Sequence, residues 1–286
     1  MKKITIRELI NGKEILVLPG IYDALTAKIA QKAGFQALLM GGFSISAIRL
    51  GQPDVGYLTM SEMVSQIKII SDAVPIPLIA DGDTGYGNPL NVMRTVRDYE
   101  KAGAAGIILE DQQWPKRCGH MEGKQVISLD EHVKKIEAAL EARSNKDFII
   151  IARTDSLAVY GMEEAVKRGK AYRDAGADVV FVEAPKSIEE LAFIREAIKD
   201  VPLVANIIEG GKTPYLSAPT LEEMGYEIMF CGLTALLVIA KALMDALTHL
   251  KKAGSTEGLS DRMYTFSEFN RLIGIKEFSL LERKFQ

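Results

Sequence analysis

Phe148-Ile149-Ile150-Ile151-Ala152-Arg153-Thr154-Asp155 is the stretch that decides the fold. Its five leading apolar residues leave no polar face, so a strand here needs cover on both sides. A parallel sheet flanked by helices supplies that cover, and the same pattern recurs outward in both directions. Strands are expected at Ile15–Leu18, Ala37–Met40, Leu78–Asp81, Gly106–Glu110, Phe148–Arg153, Val179–Glu183, Leu203–Asn206 and Glu227–Phe230. Helical periodicity fills the gaps at Ala24–Ala33, Ser61–Asp72, Pro89–Ala102, Leu129–Ala142, Met162–Ala175, Ile188–Ile198, Thr220–Met224 and Thr234–Leu250. Local signals agree. Thr59-Met60-Ser61-Glu62 and Ser128-Leu129-Asp130-Glu131 read as capping boxes, and Pro89 suits a first helical turn.

Eight strand–helix units in 286 residues fit one α/β domain, a single (β/α)8 TIM-type barrel over residues 1–250. A doubly wound open sheet is the alternative, but no glycine-rich fingerprint follows the first strand. After Lys251-Lys252-Ala253-Gly254 a C-terminal helical extension, 251–286, resumes with a cap at Thr265-Phe266-Ser267-Glu268. It lies beyond eight complete units, so it is expected to pack on a neighbouring subunit.

Composition narrows the function. A net charge of −3 with mixed signs gives no reason to expect nucleic acid or a membrane surface as partner. No apolar run is long enough to cross a bilayer, and two cysteines make no disulfide framework. A cytoplasmic protein is expected.

In barrels of this kind the chemistry gathers at the C-terminal ends of the strands. Asp81-Gly82-Asp83, Glu110-Asp111, Arg153-Thr154-Asp155, Glu183 and Asn206 all fall at that end. Converging carboxylates repel unless a cation or protons neutralise them, and hard oxygen ligands favour Mg2+ or Mn2+. Individually these residues could cap helices or form ion pairs; their common placement favours a site. Ile107-Ile108-Leu109-Glu110-Asp111-Gln112-Gln113-Trp114-Pro115-Lys116-Arg117-Cys118-Gly119-His120 adds a loop with a thiol, an imidazole and two cations. Cations beside a thiol ease its ionisation. His132 and His249 lie in helical patterns and read as packing or surface residues.

The motifs Asp81-Gly82-Asp83-Thr84-Gly85-Tyr86-Gly87, Glu110-Asp111-Gln112, Lys116-Arg117-Cys118-Gly119-His120 and Ala152-Arg153-Thr154-Asp155 resemble those of the isocitrate lyase/phosphoenolpyruvate mutase superfamily, over nearly the whole chain. The cysteine loop is similar to that of its carbon–carbon lyases. The resemblance implies that Asp81 binds Mg2+ directly while Asp54, Asp83 and Glu110 hold its waters. It implies that Gly41, Gly42 and Phe43 grip the substrate carboxylate, with Tyr22 and Arg153 on the 2-oxoacid half and Glu183 and Asn206 lining the pocket. It further implies an eighth helix exchanged between subunits in a homotetramer built from two dimers.

The implied reaction cleaves a 2-hydroxy dicarboxylate between C2 and C3. Cys118 would give a proton to the nascent carbanion, with His120 and Lys116 setting its acidity. Tyr22 or a metal-associated water would be the base, and the loop Asp111–Val126 would close over the substrate. Ile208 and Leu237 stand where 2-methylisocitrate lyases carry a threonine and an arginine, and Glu209-Gly210-Gly211-Lys212-Thr213-Pro214 resembles the dimethylmalate lyase type. A 2-substituted malate is therefore the expected substrate, with 2-methylisocitrate lyase or a phosphonomutase as alternatives.

Overall fold

In the computed structural model, which describes residues 4–286, the two-sided apolar runs become eight parallel strands closed into a barrel. They are β1 (Leu16–Ile21), β2 (Leu38–Met40), β3 (Leu78–Asp81), β4 (Gly106–Glu110), β5 (Ile149–Thr154), β6 (Val179–Val182), β7 (Leu203–Asn206) and β8 (Ile228–Cys231). Pairing runs in chain order, and β8 returns to β1 through Leu16–Ile228 and Leu18–Phe230.

Alternation along each strand explains the lack of a polar face. Ile149 and Ile151 join Leu18, Ile79, Ile108, Phe181, Val204 and Phe230 inside the barrel, whereas Ile150 and Ala152 point to the helix layer. The same parity places Asp81, Glu110, Arg153, Glu183 and Asn206 above those interior residues, at the mouth. The β4–β5 register sets Glu110 beside Arg153. Asp111 falls on the outward parity, so it leaves the mouth for the helix layer.

The opposite end is plugged. A helix at Ile6–Ile10, absent from the sequence expectation, buries Ile6, Leu9 and Ile10 under the barrel interior. Strand β1 runs past its expected end at Leu18. Pro19 still pairs with Cys231, and Gly20 passes so close to Gly232 that a Cβ would lie 1.9 Å from its carbonyl oxygen. A helix at Gly42–Leu50, capped by Gly41, is likewise absent from the sequence expectation.

The helix after β8, Thr234–Ala253, carries Val238, Met244 and Leu247 at 60% exposure or more and buries Leu236 alone among its residues. The extension forms helices Phe266–Ile273 and Ile275–Phe285. Lys28 Nζ donates to the Ile273 carbonyl at 3.2 Å, tying the extension to the first barrel helix. No helix of the described residues is long and apolar enough to cross a membrane.

Candidate active site

Four buried carboxylates meet at the mouth. Lys116 Nζ lies 2.7 Å from both Asp54 Oδ1 and Asp83 Oδ1, with Asp81 and Glu110 also raising the lysine's affinity for its proton. Burial alone would push that ammonium's pKa down; the surrounding negative charge more than reverses it. Asp81 is fixed from two sides, accepting from Gly42 N–H at 3.0 Å and from Asp83 N–H at 2.9 Å. Glycine at 42 keeps the first contact close, since a Cβ there would sit 3.0 Å from Asp81 Oδ2 and 3.3 Å from Lys116 Nζ and would push both aside by a few tenths of an ångström.

The cluster is short of positive charge. Burial raises the Asp83 carboxyl to about 6, against the pull of Lys116 and with help from Asp81 and Asp54. Burial also lifts Glu110 well above the usual range, and its Oε1 has no hydrogen-bond partner. Four oxygen-donor side chains with one buried acceptor unanswered have the donor chemistry a hard divalent cation takes. Among the described residues, however, no three of them are disposed as a metal site, with the Lys116 ammonium between Asp54 and Asp83. Asp54, Asp81, Asp83 and Glu110 are the residues that would hold the cation.

The second half of the site is an ion network centred on Arg153. Its guanidinium forks onto Asp155 at 2.9 and 3.0 Å and reaches Glu110 Oε2 at 3.4 Å and Glu183 Oε2 at 3.6 Å, above the Phe181 ring. Burial works against the Glu183 charge, but Arg153 and His120 hold its carboxyl below the ordinary value. Asn206 Nδ2 donates to Glu183 at 3.2 Å. His120 Nε2 faces Glu183 Oε1 at 2.9 Å, while Nδ1 accepts from the Lys212 N–H at 3.0 Å, which leaves the ring proton on Nε2.

A loop closes over both halves. Its ends are pinned by Gln113 N–H to Gln125 O at 2.8 Å and Ile127 N–H to Asp111 O at 2.9 Å. Inside, Gln112 clasps Arg117 through both its amide atoms, and Cys118 N–H donates to Asp54 O at 3.2 Å. The cavity beneath the loop measures about 80 Å3 and is lined by Gly41, Gly42, Phe43, Asp54, Asp81, Glu110, Lys116, Arg117, Cys118, His120, Arg153, Glu183 and Asn206. Leu39, Ile208, Phe230 and Leu233 form its apolar wall. A larger groove of about 850 Å3 lies outside the loop, between Tyr57, Trp114 and Lys135, and has no comparable carboxylate cluster.

Most of the residues singled out in the sequence thus come together, with four corrections. Tyr22 does not line the cavity; its hydroxyl is buried in the apolar layer without a hydrogen-bond partner. The Cys118 thiol is harder to ionise than a free cysteine. Burial pushes it up to about 11, Asp54 and Glu183 add to this, and Lys116 is engaged with carboxylates instead. His120 acts on it through its backbone N–H, which works against that rise. Leu237 is 41% exposed and outside the cavity wall, which Ile208 and Leu233 form.

Lys124, from the loop and buried against Asp155, escaped the sequence reading, and Asp111, which that reading set at the mouth beside Glu110, instead anchors the chain behind the site. Strand parity would have separated Asp111 from Glu110. His132 is fully buried against Tyr172, and burial lowers its imidazole to about 3, in keeping with a packing role.

Known proteins match this chain over most of its length. The profile of the family Phosphoenolpyruvate phosphomutase matches residues 6–251. The 2,3-dimethylmalate lyase of Eubacterium barkeri is 49% identical over 98% of this chain and 96% of its own. A crystal structure of 2,3-dimethylmalate lyase superposes with a TM-score of 0.92 at 40% identity, covering 97% of this chain and 93% of that one. A phosphonopyruvate hydrolase solved with oxalate and Mg2+ superposes with a TM-score of 0.89 at 30% identity, over 98% and 97% of the two chains. The chain is an enzyme of the phosphoenolpyruvate mutase/isocitrate lyase superfamily.

Proposed function

We propose that this enzyme cleaves the C2–C3 bond of a 2-substituted malate such as 2,3-dimethylmalate, releasing a 2-oxoacid such as pyruvate and a carboxylic acid. The observation that carries the reading is Cys118. Its thiol, whose pKa burial raises, lines the same cavity as Arg153, Asp54, Asp81 and Glu110. A proton donor must be protonated at working pH. The C2 hydroxyl gives its proton to a carboxylate of the cavity as C2 becomes a carbonyl, and the electron pair of the broken C2–C3 bond passes to C3. Cys118 Sγ–H delivers the proton that C3 then takes.

A Mg2+ or Mn2+ ion, when bound by Asp81 and through Asp54, Asp83 and Glu110, supplies Lewis-acid polarisation and offsets negative charge. The chain's own groups do the rest. Arg153 faces the developing oxyanion. Phe43, in the first turn of the Gly42–Leu50 helix, offers a backbone N–H to a carboxylate; that of Gly42 is already given to Asp81. The closed loop keeps water from the carbanion. The wall of Leu39, Ile208 and Leu233 suits alkyl substituents, which favours a substituted malate.

The family profile's name favours one further reading, a carboxyphosphonoenolpyruvate- or phosphoenolpyruvate-type mutase. Phosphorus NMR on phosphonopyruvate separates it from the lyase. The apolar, exposed helix Thr234–Ala253 supports exchange of that helix between subunits in a homotetramer, with 251–286 docking on the neighbour. The free thiols Cys118 and Cys231 fit the cytoplasm.

The test is a panel of malate, 2-methylmalate, 2,3-dimethylmalate, 2-methylisocitrate and oxaloacetate with Mg2+, following 2-oxoacid release with a coupled dehydrogenase. Turnover should be greatest on a substituted malate. Cys118→Ser should lower kcat by about 10²–10⁴-fold with ligand binding retained. A variant that cleaves as fast as the parent removes Cys118 from the reaction.

A further inference from the structure

Lys124 belongs to the closing loop but does not line the cavity. Its side chain is 1% exposed, and its ammonium has two partners, Asp155 Oδ1 at 2.9 Å and the Gly119 carbonyl. Gly119 sits between Cys118 and His120. It is pressed so closely onto the site that a Cβ would lie 2.5 Å from Arg153 Nη2 and from Glu183 Cγ.

Asp155 is the shared element. Oδ1 takes both Lys124 and Arg153 Nη2, and Oδ2 takes Arg153 Nε. Its backbone N–H donates to Asp111 Oδ1 at 2.8 Å, and Asp111 is itself held by Arg168, Tyr172 and Thr154. The carboxylate therefore stands on a fixed base, with one cation from the barrel and one from the loop.

We infer that Lys124 is a positioning residue that couples closure of the 111–127 loop to Arg153 through the carboxylate they share. The inference deepens the proposed function and rests on it for the roles of Arg153 and Cys118. A buried ammonium is tolerated only where partners replace its water. Opening the loop returns Lys124 to solvent and leaves Asp155 to Arg153 alone. Closing it strips Lys124 of water, which is favourable only if Arg153 keeps Asp155 charged and in register. Substrate contacts that orient Arg153 are thereby transmitted to the segment carrying Cys118. Lys116 and His120 also tie the loop to the barrel, through Asp54, Asp83 and Glu183, but Lys124 does so through the carboxylate onto which Arg153 forks; the Lys212–Glu122 pair lies at the surface and contributes little.

The experiment uses the full chain with Cys231→Ser, so that Cys118 is the only thiol, and Mg2+ with oxalate as the probe, a planar dianion shaped like a 2-oxoacid enolate. Iodoacetamide labelling of Cys118 and tryptic cleavage at Lys116 and Arg117 read loop closure. In the parent, Mg2+–oxalate should suppress both. Lys124→Met should lose roughly tenfold or more of that protection, with a matching fall in kcat and a smaller change in KM. Lys124→Arg, which keeps the charge, should recover part of the protection, and it serves as the decisive variant if circular dichroism shows Lys124→Met unfolded. An unprotected parent, a Lys124→Met protein protected like the parent, or a folded Lys124→Arg no better protected than the neutral variant overturns the inference. If no malate is turned over while the protection pattern holds, the proposed function fails and the coupling stands.

Discussion

The foot of the barrel and its mouth both bury carboxylates, and they treat them in opposite ways. At the foot Asp178 is fully answered. Oδ1 meets Arg7 at 2.7 Å, while Oδ2 meets Arg143 at 2.5 Å and the Ile150 N–H at 2.8 Å. At the mouth Asp54, Asp81, Asp83 and Glu110 crowd around one ammonium, and an oxygen of Glu110 has no donor. Folding alone selects the first arrangement. The second carries an electrostatic cost that a bound cation would relieve, so the contrast separates residues kept for stability from those kept for chemistry.

Substitution on each side should break the comparison in opposite directions. Glu110→Gln keeps the shape but removes a buried charge, and should lower kcat by about 10–100-fold. In excess chelator it should also be the more stable protein. Glu110 has a folded pKa above its unfolded value of ~4.3, so its contribution is fully present below that pH and lost as pH rises through the elevated one. Urea titrations of the chelated proteins at several pH values should show the parent weakening with pH more steeply than the variant. Adding Mg2+ should reverse the order at neutral pH. At the foot, Asp178→Asn leaves two arginines without their carboxylate and should cost about 2 kcal/mol of stability, with kcat per folded molecule unchanged. Loss of activity in Asp178→Asn without loss of stability would erase the distinction.

The same contrast explains what the sequence disclosed. Their place at the C-terminal ends of successive parallel strands put Asp81, Glu110, Arg153, Glu183 and Asn206 at one end of the barrel, because parallel strands all point the same way. The foot was less legible, since the helix Ile6–Ile10 is one short turn-rich segment whose role depends on the barrel it plugs. Loop contacts were hardest. Nothing in the spacing of Lys116 and Lys124 distinguishes the one that joins the carboxylate cluster from the one that reaches Asp155; the path of residues 112–126 decides it. Tyr22 shows the reverse error. It follows a strand end, where a functional residue is expected, yet it turns into the apolar layer.

The smallest expected effect is the most specific to the mouth. A proton donor is lost as pH rises through its pKa, so an ordinary thiol near ~8.5 would give kcat a falling limb just above neutrality. Cys118 is raised to about 11, first by burial and then by Asp54 and Glu183. Its donor role should therefore impose no fall on kcat between about pH 7.5 and 9.5 while the loop is closed. The residual labelling of Cys118 in the presence of Mg2+ and oxalate, each rate taken relative to that of the same protein at the low end of the range, follows the thiolate fraction once the constant protection by the loop is divided out. Asp178→Asn should leave the curve where it is, whereas Glu183→Gln should move it toward lower pH by removing a nearby negative charge. A labelling midpoint near that of a free cysteine in the closed protein would mean that the mouth does not hold the proton that the reaction needs.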